Sequence, residues 1–308
     1  MPIYEEVAKM PDMFHIAGGA TQNSIRVAQW MLPDNPDSTA FFGGVGNDTQ
    51  GETLRRVATS DGVLTRYQVI EDGTPTGTCA VLINGLNRSM VTNLGAANKF
   101  NIDHLKCQEN LDIVHNAELR FVSGFFLTVS PDTAMLVAKD SSERKKTFML
   151  NLSAPFIPQF FTEPLMALMP YTDILIGNES EFLALGQTLG VAASGEALTP
   201  EDVVRHVALN IPKADGSARL ILCTQGADPT LVGTTENGEV KVTSHPANLI
   251  PVEEIVDTNG AGDAFAGGFI SRFVLGRPVE ECIAAGNYAA GVIIRHSGIS
   301  IPKERPAF

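Results

Sequence analysis

In the stretch VDTNGAGDAFAGGF, Val256 to Phe269, three small residues (Gly260, Ala261 and Gly262) stand directly before an acid, Asp263. Phe265, Phe269 and Phe273 follow at helical spacing, with Ala266 and Ile270 on a neighbouring face, so the spacing predicts a helix that starts at about Gly260 and packs on a core. The first N–H groups of a helix lack partners, and the helix dipole favours negative charge there. With only small side chains in the way, an anion reaches that backbone. Gly260, Ala261 and Gly262 are therefore a candidate anion hole, and Asp263 a candidate proton acceptor beside it. An acid in a first helical turn by itself means only dipole complementation, worth ~0.3–1 kcal/mol. Dipole complementation does not need three small residues ahead of the acid; a site where an oxyanion and a proton acceptor meet does.

Three further groups join this one. In AGGATQNSIRVAQWML, Gly18 and Gly19 precede a predicted helix with Ile25, Ala28 and Leu32 on one face and Asn23 one turn in. Thr21 at its start reads either as a plain cap or as part of a second glycine-lined site. In IGNESEF, Asn178 and Glu181 have the spacing of a capping box, or of a carboxylate that organises water or Mg²⁺ on a phosphate. Arg88 in GLNRSM is either a solvated charge or, in so acidic a chain, a cation that neutralises a phosphoryl group in transit. The chain has no GxxxxGK[ST], no GxGxxG opening a helix, no HExxH and no GxSxG.

The elements that must position these residues read as alternating strands and helices. STAFFGGVG is a strand running into a glycine loop, and GETLRRVATSDG a helix. LRFVSGFF, KTFMLNLS, TDILIGN and ARLILCTQG are strands, SPDTAMLVAKDSS is a helix, and Ile255-Val256 closes a further strand. These strands are apolar runs without strict alternation, the pattern of strands buried on both faces in a parallel sheet. In such sheets ligands bind beyond the carboxyl ends of the strands, so the loops after DILIG, LILCTQG and EEIVDTNGAG are expected on one edge. Thr74 to Asn93 differs: two β-branched runs flank Asn84-Gly85, the signal of a hairpin ribbon, which reads as a small lid or an edge sheet.

At 308 residues, 44% of them hydrophobic, the chain can build a real core. Its net charge of -13 argues against nucleic acid as a partner, and means that a polyanionic substrate is held by local devices. Cys79, Cys107, Cys223 and Cys282 are far apart and read as buried free thiols in a reducing compartment, and the six histidines show no metal spacing. The start, MPIYEEVAKMPDMF, does not have the pattern of a signal peptide, and no apolar run is long enough to span a bilayer. The expectation is a cytoplasmic protein.

DTNGAGDAFAGGF resembles the signature of the ribokinase-like family of sugar and nucleoside kinases, and GGVGNDTQGETLRR resembles that family's N-terminal glycine signature. GGATQNS, PTGTCA, NRSMVTNLGAAN, SGFFLTVSP, LNLSAPFI, MPYTDILIGNESE and GNYAAGVIIR are similar to the members that phosphorylate adenosine, and the resemblance runs from about His15 to the C-terminus. It implies an α/β fold with a central, mostly parallel sheet flanked by helices. Residues 1–308 would form one kinase unit, with residues about 73–95 as part of a small discontinuous β lid. The implied reaction is ATP-dependent phosphorylation of the ribose 5′-hydroxyl, giving AMP and ADP in purine salvage, by a monomer that uses Mg²⁺ and binds neither nucleic acid nor membrane. In this resemblance Asp263 is the base and Gly260, Ala261 and Gly262 are the anion hole. Asn23 and Asn259 lie against the nucleoside, Gly18 and Gly19 near the ribose, and Phe125 stacks on the adenine. Cys79, Met90 and Leu94 form apolar walls on the lid side, and Arg88 meets the phosphates. Asn178 and Glu181 belong to the Mg²⁺–phosphate water network, while Thr224 and Gly226 line the ATP site. Two positions depart from the family: Ala20, where serine is common, and Asn287, where histidine is common. Family members also carry a strand ahead of the double glycine, with an Asp that grips the ribose hydroxyls. No such strand precedes Gly18 after Met1, and the expectation is a chain truncated at its N-terminus. A sugar kinase of the same family, and a non-catalytic adenosine-binding remnant, are the competing readings.

Overall fold

Apolar runs and helical periodicity alternate along the chain, and the computed structural model, which describes residues 2–7, 9–10, 13–32, 37–84 and 87–306, turns them into alternating helices and strands. They form two units: Met1–Phe100 with Ile250–Arg272 and Ala285–Phe308, and Asn101–Leu249 with Phe273–Ala284.

The first unit opens with helices α1 (Pro2–Val7) and α2 (Ala20–Met31), strand β1 (Ala40–Gly46), helix α3 (Thr49–Ser60) and strand β2 (Leu64–Ile70). β1 and β2 pair in parallel from Ala40↔Leu64 to Gly46↔Ile70. The glycines expected to form a loop after β1 lie inside the strand. A 3₁₀ turn at Ala96–Lys99 rests on it, and a Cβ on Gly44 would stand 2.8 Å from the Ala96 carbonyl oxygen. The expected ribbon is present as β3 (Thr76–Asn84) and β4 (Asn87–Gly95), antiparallel to each other. Asn84 pairs with Asn87, so the connection falls at 85–86, outside the described residues and one position later than the predicted Asn84-Gly85 turn. This register sets Val81 opposite Met90 and Cys79 opposite Thr92, which gathers apolar residues on one face of the ribbon.

The second unit contains α4 (Ile102–Lys106), α5 (Gln108–Asn116), β5 (Leu119–Ser123), α6 (Pro131–Arg144), β6 (Thr147–Asn151), α7 (Phe156–Phe160) and α8 (Thr162–Leu168). After them come β7 (Ile174–Asn178), α9 (Glu179–Leu189), α10 (Pro200–Asn210), β8 (Leu220–Gln225), β9 (Asp228–Glu236) and β10 (Glu239–His245). The sheet order is β10-β9-β8-β7-β6-β5, with β5 to β8 parallel and β9 and β10 antiparallel. In β6 the adjacent residues Phe148, Met149 and Leu150 are all 0% exposed, so both faces of the strand are covered, as the unalternating apolar runs require. Phe148, Leu150, Leu175, Phe182, Val203 and Ile221 belong to the core between sheet and helices. β2, β9 and β10 carry mixed polar and apolar residues and are not apparent as apolar runs. The β9–β10 hairpin nevertheless has a local signal: Asn237 and Gly238 supply the two positive φ angles, 52° and 83°, of a two-residue turn.

Two further helices follow, α11 (Ala261–Phe273) and α12 (Val279–Ile293); Ile250–Arg272 and Ala285–Phe308 belong to the first unit and Phe273–Ala284 to the second. The strand expected to close at Ile255-Val256 does not form. Val252–Glu254 is a 3₁₀ turn, and the N–H groups of Val256 and Asp257 both donate to the Ile294 carbonyl oxygen beyond α12 (2.8 and 3.1 Å), so this segment is tied to a helix end. Pro251, with no N–H, would also interrupt a ladder there. Val27, Trp30, Met31, Ala264, Ala285 and Ile293 form the core among α2, α11 and α12. Gly267 and Gly268 allow this packing: a Cβ on Gly267 would lie 2.4 Å from the Ser24 carbonyl oxygen of α2, and one on Gly268 2.4 Å from that of Ala285 in α12.

Candidate active site

The backbone contact at Gly267 brings the first turn of α2 beside the first turn of α11. α2 begins at Ala20, and Gly19, at φ 110°, turns the chain into it without a side-chain cap; Thr21, the expected cap, lies inside the helix. Only glycine adopts that φ without strain, and the Gly19 carbonyl accepts the first helical hydrogen bond from the Asn23 N–H at 2.8 Å. The Asn23 side chain, 7% exposed, donates from Nδ2 to Asp263 Oδ2 at 2.9 Å. The two residues are 240 positions apart in sequence.

The loop entering α11 is held by Asp257, which is 3% exposed and was not a sequence candidate. Its Oδ1 accepts from the Asn259 N–H at 2.9 Å and its Oδ2 from the Gly298 N–H at 3.0 Å. An aspartate that bonds the backbone two residues on is a legible turn signal in DTN. Gly260 then takes a φ of 76°, and a Cβ there would stand 2.1 Å from Ile299 Cδ1, so any other residue would strain the backbone and push the Ile299 side chain aside. Within the expected anion hole the Ala261 N–H is engaged, donating to the Thr258 carbonyl at 3.3 Å, and the Ala264 N–H donates to that of Gly260 at 2.8 Å. The N–H groups of Gly262 and Asp263 have no acceptor among the described residues. Asn23 Oδ1 and Asn259 Nδ2 are also buried without a partner. Two amide donors, a side-chain donor, a side-chain acceptor and a carboxylate are thus left for a ligand, and buried polar groups are rarely left so.

Asp263 retains a small opening to solvent, but protein encloses its carboxyl. Burial pushes its pKa up to about 6; the Asn23 hydrogen bond, which favours the ionised form, works against that rise. The group is ionised at neutral pH and is a stronger proton acceptor than an ordinary carboxylate.

In the same unit, Gly18 has no atom within 4 Å of a notional Cβ, which leaves space beside it. The ribbon exposes an apolar face: Met90 and Leu94 are 63% and 40% accessible, and Cys79 is exposed, as is Cys107 between α4 and α5, so of the four thiols expected to be buried only Cys223 and Cys282 are. Arg88 pairs through its backbone with Ile83, while its side chain lies outside the described residues.

The second unit holds the other candidates. Asn178 ends β7 and caps α9 in a full capping box: its Oδ1 accepts from the Glu181 N–H at 3.0 Å, and Glu181 Oε2 accepts from the Asn178 N–H at 2.9 Å. Asn178 Nδ2 also donates to Glu181 Oε1 at 2.8 Å. Thr224 pairs with Asn178 across β7 and β8, and Gly226 turns the chain after β8 with φ 63°. Only the loops after β7 and β8, of the three expected on one sheet edge, follow strands of this sheet.

Phe125 lies in a 3₁₀ turn (Gly124–Thr128) after β5 and is 39% exposed; Phe156, at the start of α7, is 41% exposed, with its ring centroid 6.0 Å away. Phe156 was not a sequence candidate, because nothing in its spacing couples it to Phe125. The turn is held by Ser153, whose φ is 68° and whose Oγ accepts from the Gly124 N–H at 3.0 Å and meets Ser123 Oγ at 2.8 Å. Among the described residues no three His, Cys, Asp or Glu side chains gather as a metal-ligand set, and no helix is long and apolar enough to cross a membrane.

Residues 2–306 match the pfkB family of carbohydrate kinases. The chain is 43% identical to adenosine kinase 1 of Arabidopsis thaliana, over 100% of its own length and 86% of the relative's. It is 41% identical to adenosine kinase of Dictyostelium discoideum, over 99% and 86%. Among solved structures, it superposes on Anopheles gambiae adenosine kinase in complex with P1,P4-di(adenosine-5) tetraphosphate with a TM-score of 0.91 at 40% identity, covering 100% of this chain and 87% of that one. Adenosine kinase from Schistosoma mansoni in complex with adenosine and AMP gives 0.90 at 34% identity, over 100% and 87%.

Proposed function

The chain belongs to the pfkB family of carbohydrate kinases, and on that premise we propose that it moves the γ-phosphoryl group of ATP to the 5′-hydroxyl of adenosine, giving AMP and ADP. The observation that carries this reading is the Asn23–Asp263 pair at the mouth of α11, with unpartnered donors and acceptors around it. In this reading the hydroxyl oxygen attacks the γ-phosphorus while the bond to the ADP oxygen breaks, and the hydroxyl proton passes to an Asp263 oxygen. Asp263 does not ionise the alcohol in advance; it accepts the proton as transfer proceeds, a contribution of ~10²–10⁴ in rate. The free N–H groups of Gly262 and Asp263, backed by the α11 dipole, receive the moving negative charge, worth ~10²–10³ more.

Asn23 Oδ1 and Asn259 Nδ2 bind sugar hydroxyls beside Gly18 and Gly19, and Phe125 with Phe156 offers the adenine an aromatic face. Cys79, Met90 and Leu94 cover the nucleoside from the ribbon, and Arg88 pairs with the phosphates. Thr224 and Gly226 line the ATP site. Both Glu181 oxygens accept from Asn178, which favours a water-mediated role over direct ligation. Asn178 and Glu181 would hold Mg²⁺ through its water shell, and the ion would supply neutralisation of phosphate charge. We place this activity in the cytoplasm, in a monomer.

The test is AMP and ADP formation from ATP, Mg²⁺ and adenosine, beside a panel of free sugars. Adenosine is expected to be the preferred acceptor, and Asp263→Asn to lower kcat by at least ~10²-fold while leaving adenosine binding in place. Faster turnover of a sugar, or an Asp263→Asn variant of near-normal activity, would overturn the reading.

A further inference from the structure

The glycine segment GGVGNDTQG has no part in the chemistry above, yet one carboxylate in it gathers three elements of the first unit. Asp48 caps α3 by accepting from the Gly51 N–H at 2.8 Å, the ordinary work of an N-cap. It also accepts from the Thr76 N–H at 2.7 Å (Oδ2) and from the Thr76 hydroxyl at 2.6 Å (Oδ1). Thr76, 5% exposed, is the first residue of β3, and its Oγ1 in turn accepts from the Gly46 N–H at the end of β1 at 3.0 Å. The end of β1, the start of α3 and the base of the ribbon are therefore joined through one carboxylate and one hydroxyl.

Around this joint the chain packs backbone on backbone. A Cβ on Gly46 would lie 2.5 Å from the Thr74 carbonyl oxygen, and one on Gly95, at the end of β4, 2.3 Å from that of Pro75. No side chain fits between, so these hydrogen bonds and the backbone packing set the base of the ribbon; farther along, the Tyr4 hydroxyl of α1 meets the carbonyls of Thr78 (3.2 Å) and Val91 (2.8 Å). Beyond the joint the ribbon exposes Val81, Ile83 and Met90 at 38%, 51% and 63%, an apolar face that awaits a cover. Burial works to raise the Asp48 pKa, but the hydrogen bonds from Thr76, Gly51 and Gln50 outweigh it and hold the carboxyl below its ordinary value, so the joint stays ionised at neutral pH.

We propose that Asp48, acting through Thr76, is the positioning residue that anchors the β3–β4 ribbon over the nucleoside. This rests on the adenosine kinase reading above. The ribbon is a two-stranded hairpin, an element of marginal stability by itself, and its anchor decides how often its apolar face meets the substrate. Loosening the anchor weakens adenosine binding and leaves phosphoryl transfer from the bound state largely intact.

Thr76→Val is the sharpest perturbation. It keeps shape and β-branching, leaves Asp48 capping α3, and removes only the hydroxyl that joins Asp48 to Gly46. KM for adenosine is expected to rise ~10-fold, the scale of one lost hydrogen bond to a charged group, with kcat within ~3-fold of wild type. Thr76→Ser, which restores the hydroxyl, is expected to return KM to within ~2-fold, and Asp48→Asn to behave like Thr76→Val. Unchanged KM in Thr76→Val, or a parallel loss of kcat and melting temperature with KM constant, would sink the proposal and leave Asp48 a helix cap. Hydrogen exchange in the ligand-free protein reads the anchor without chemistry. Thr76→Val should speed exchange of the β3–β4 amides ~10-fold while the α3 amides stay as in wild type. Equal ribbon exchange in the two proteins overturns the anchor whether or not the chain turns over adenosine, whereas wild-type inactivity with faster ribbon exchange in the variant counts against the kinase reading alone.

Discussion

The pair Asn23–Asp263 makes a demanding prediction, because its effect is on the pH dependence of the reaction as well as its rate. With a pKa of about 6, Asp263 is ~90% ionised at pH 7 and half ionised at pH 6. Only the ionised form accepts the proton, so activity falls toward acid with a limb near pH 6. Asn23→Ala removes the 2.9 Å hydrogen bond that favours the ionised form. A hydrogen bond to a charged group is worth ~1.5–3 kcal/mol, or about one to two pKa units; water entering the vacated space restores part of it, which leaves about one unit. The acid limb then moves up to near pH 7. Relative to wild type, the ionised fraction falls ~5-fold at pH 6 and ~2-fold at pH 7, and the two curves run parallel above pH 8. The assay is kcat/KM for adenosine from pH 5 to 9 at saturating ATP, expressed as the ratio of variant to wild type so that titration of ATP itself cancels. A pH-independent offset from loss of nucleoside contacts is compatible with the reasoning. A ratio that is flat across the whole range refutes it, because Asn23 would then touch only substrate and leave the base untouched.

Asp263→Asn should be more stable than wild type near neutrality. The folded pKa lies about two units above the ordinary value of 3.8, so ionisation disfavours the folded state as pH rises through 6, by about 3 kcal/mol once complete. The variant's melting temperature should exceed that of wild type by ~5 °C or more at pH 7.5 and fall back to parity near pH 4, which calorimetry at the two pH values checks. Gly260→Ala should damage fold and activity together, since it combines left-handed strain of ~1–2 kcal/mol with a Cβ 2.1 Å from Ile299; a lower melting temperature and kcat are expected, and Ile299→Ala in the same chain should recover part of the first. Phe125→Ala should raise KM for adenosine ~5- to 150-fold, the scale of one lost base–aromatic stack of ~1–3 kcal/mol, with little change in KM for ATP.

Features whose causes are local could be read from the residues alone. The α11 start, with Gly260 and Asp263, depends on glycine's freedom at positive φ, on the unpaired N–H groups of a helix terminus and on a periodic apolar face, all within a few positions. The parallel strands β5 to β8 are visible as apolar runs because burial on both faces leaves no room for polar alternation. The Asn178–Glu181 capping box is a three-residue geometry and formed as its spacing predicts. Other features depend on what lies across the fold. Nothing in DTNGAG says that its approach is fastened to the Ile294 carbonyl and not laddered into a sheet, so the strand expected at Ile255-Val256 was an error that only the neighbouring helix end could correct. Phe156 becomes a partner of Phe125 only because the turns after β5 and β6 meet, and Thr76 finds Asp48 only because the ribbon folds back on β1. The sequence determined that an acid would stand at a helix N-terminus among small residues. Its proton affinity was decided by the tertiary structure, because that depends on how much protein surrounds the carboxyl and on a donor 240 residues away, delivered by two helices in contact through Gly267.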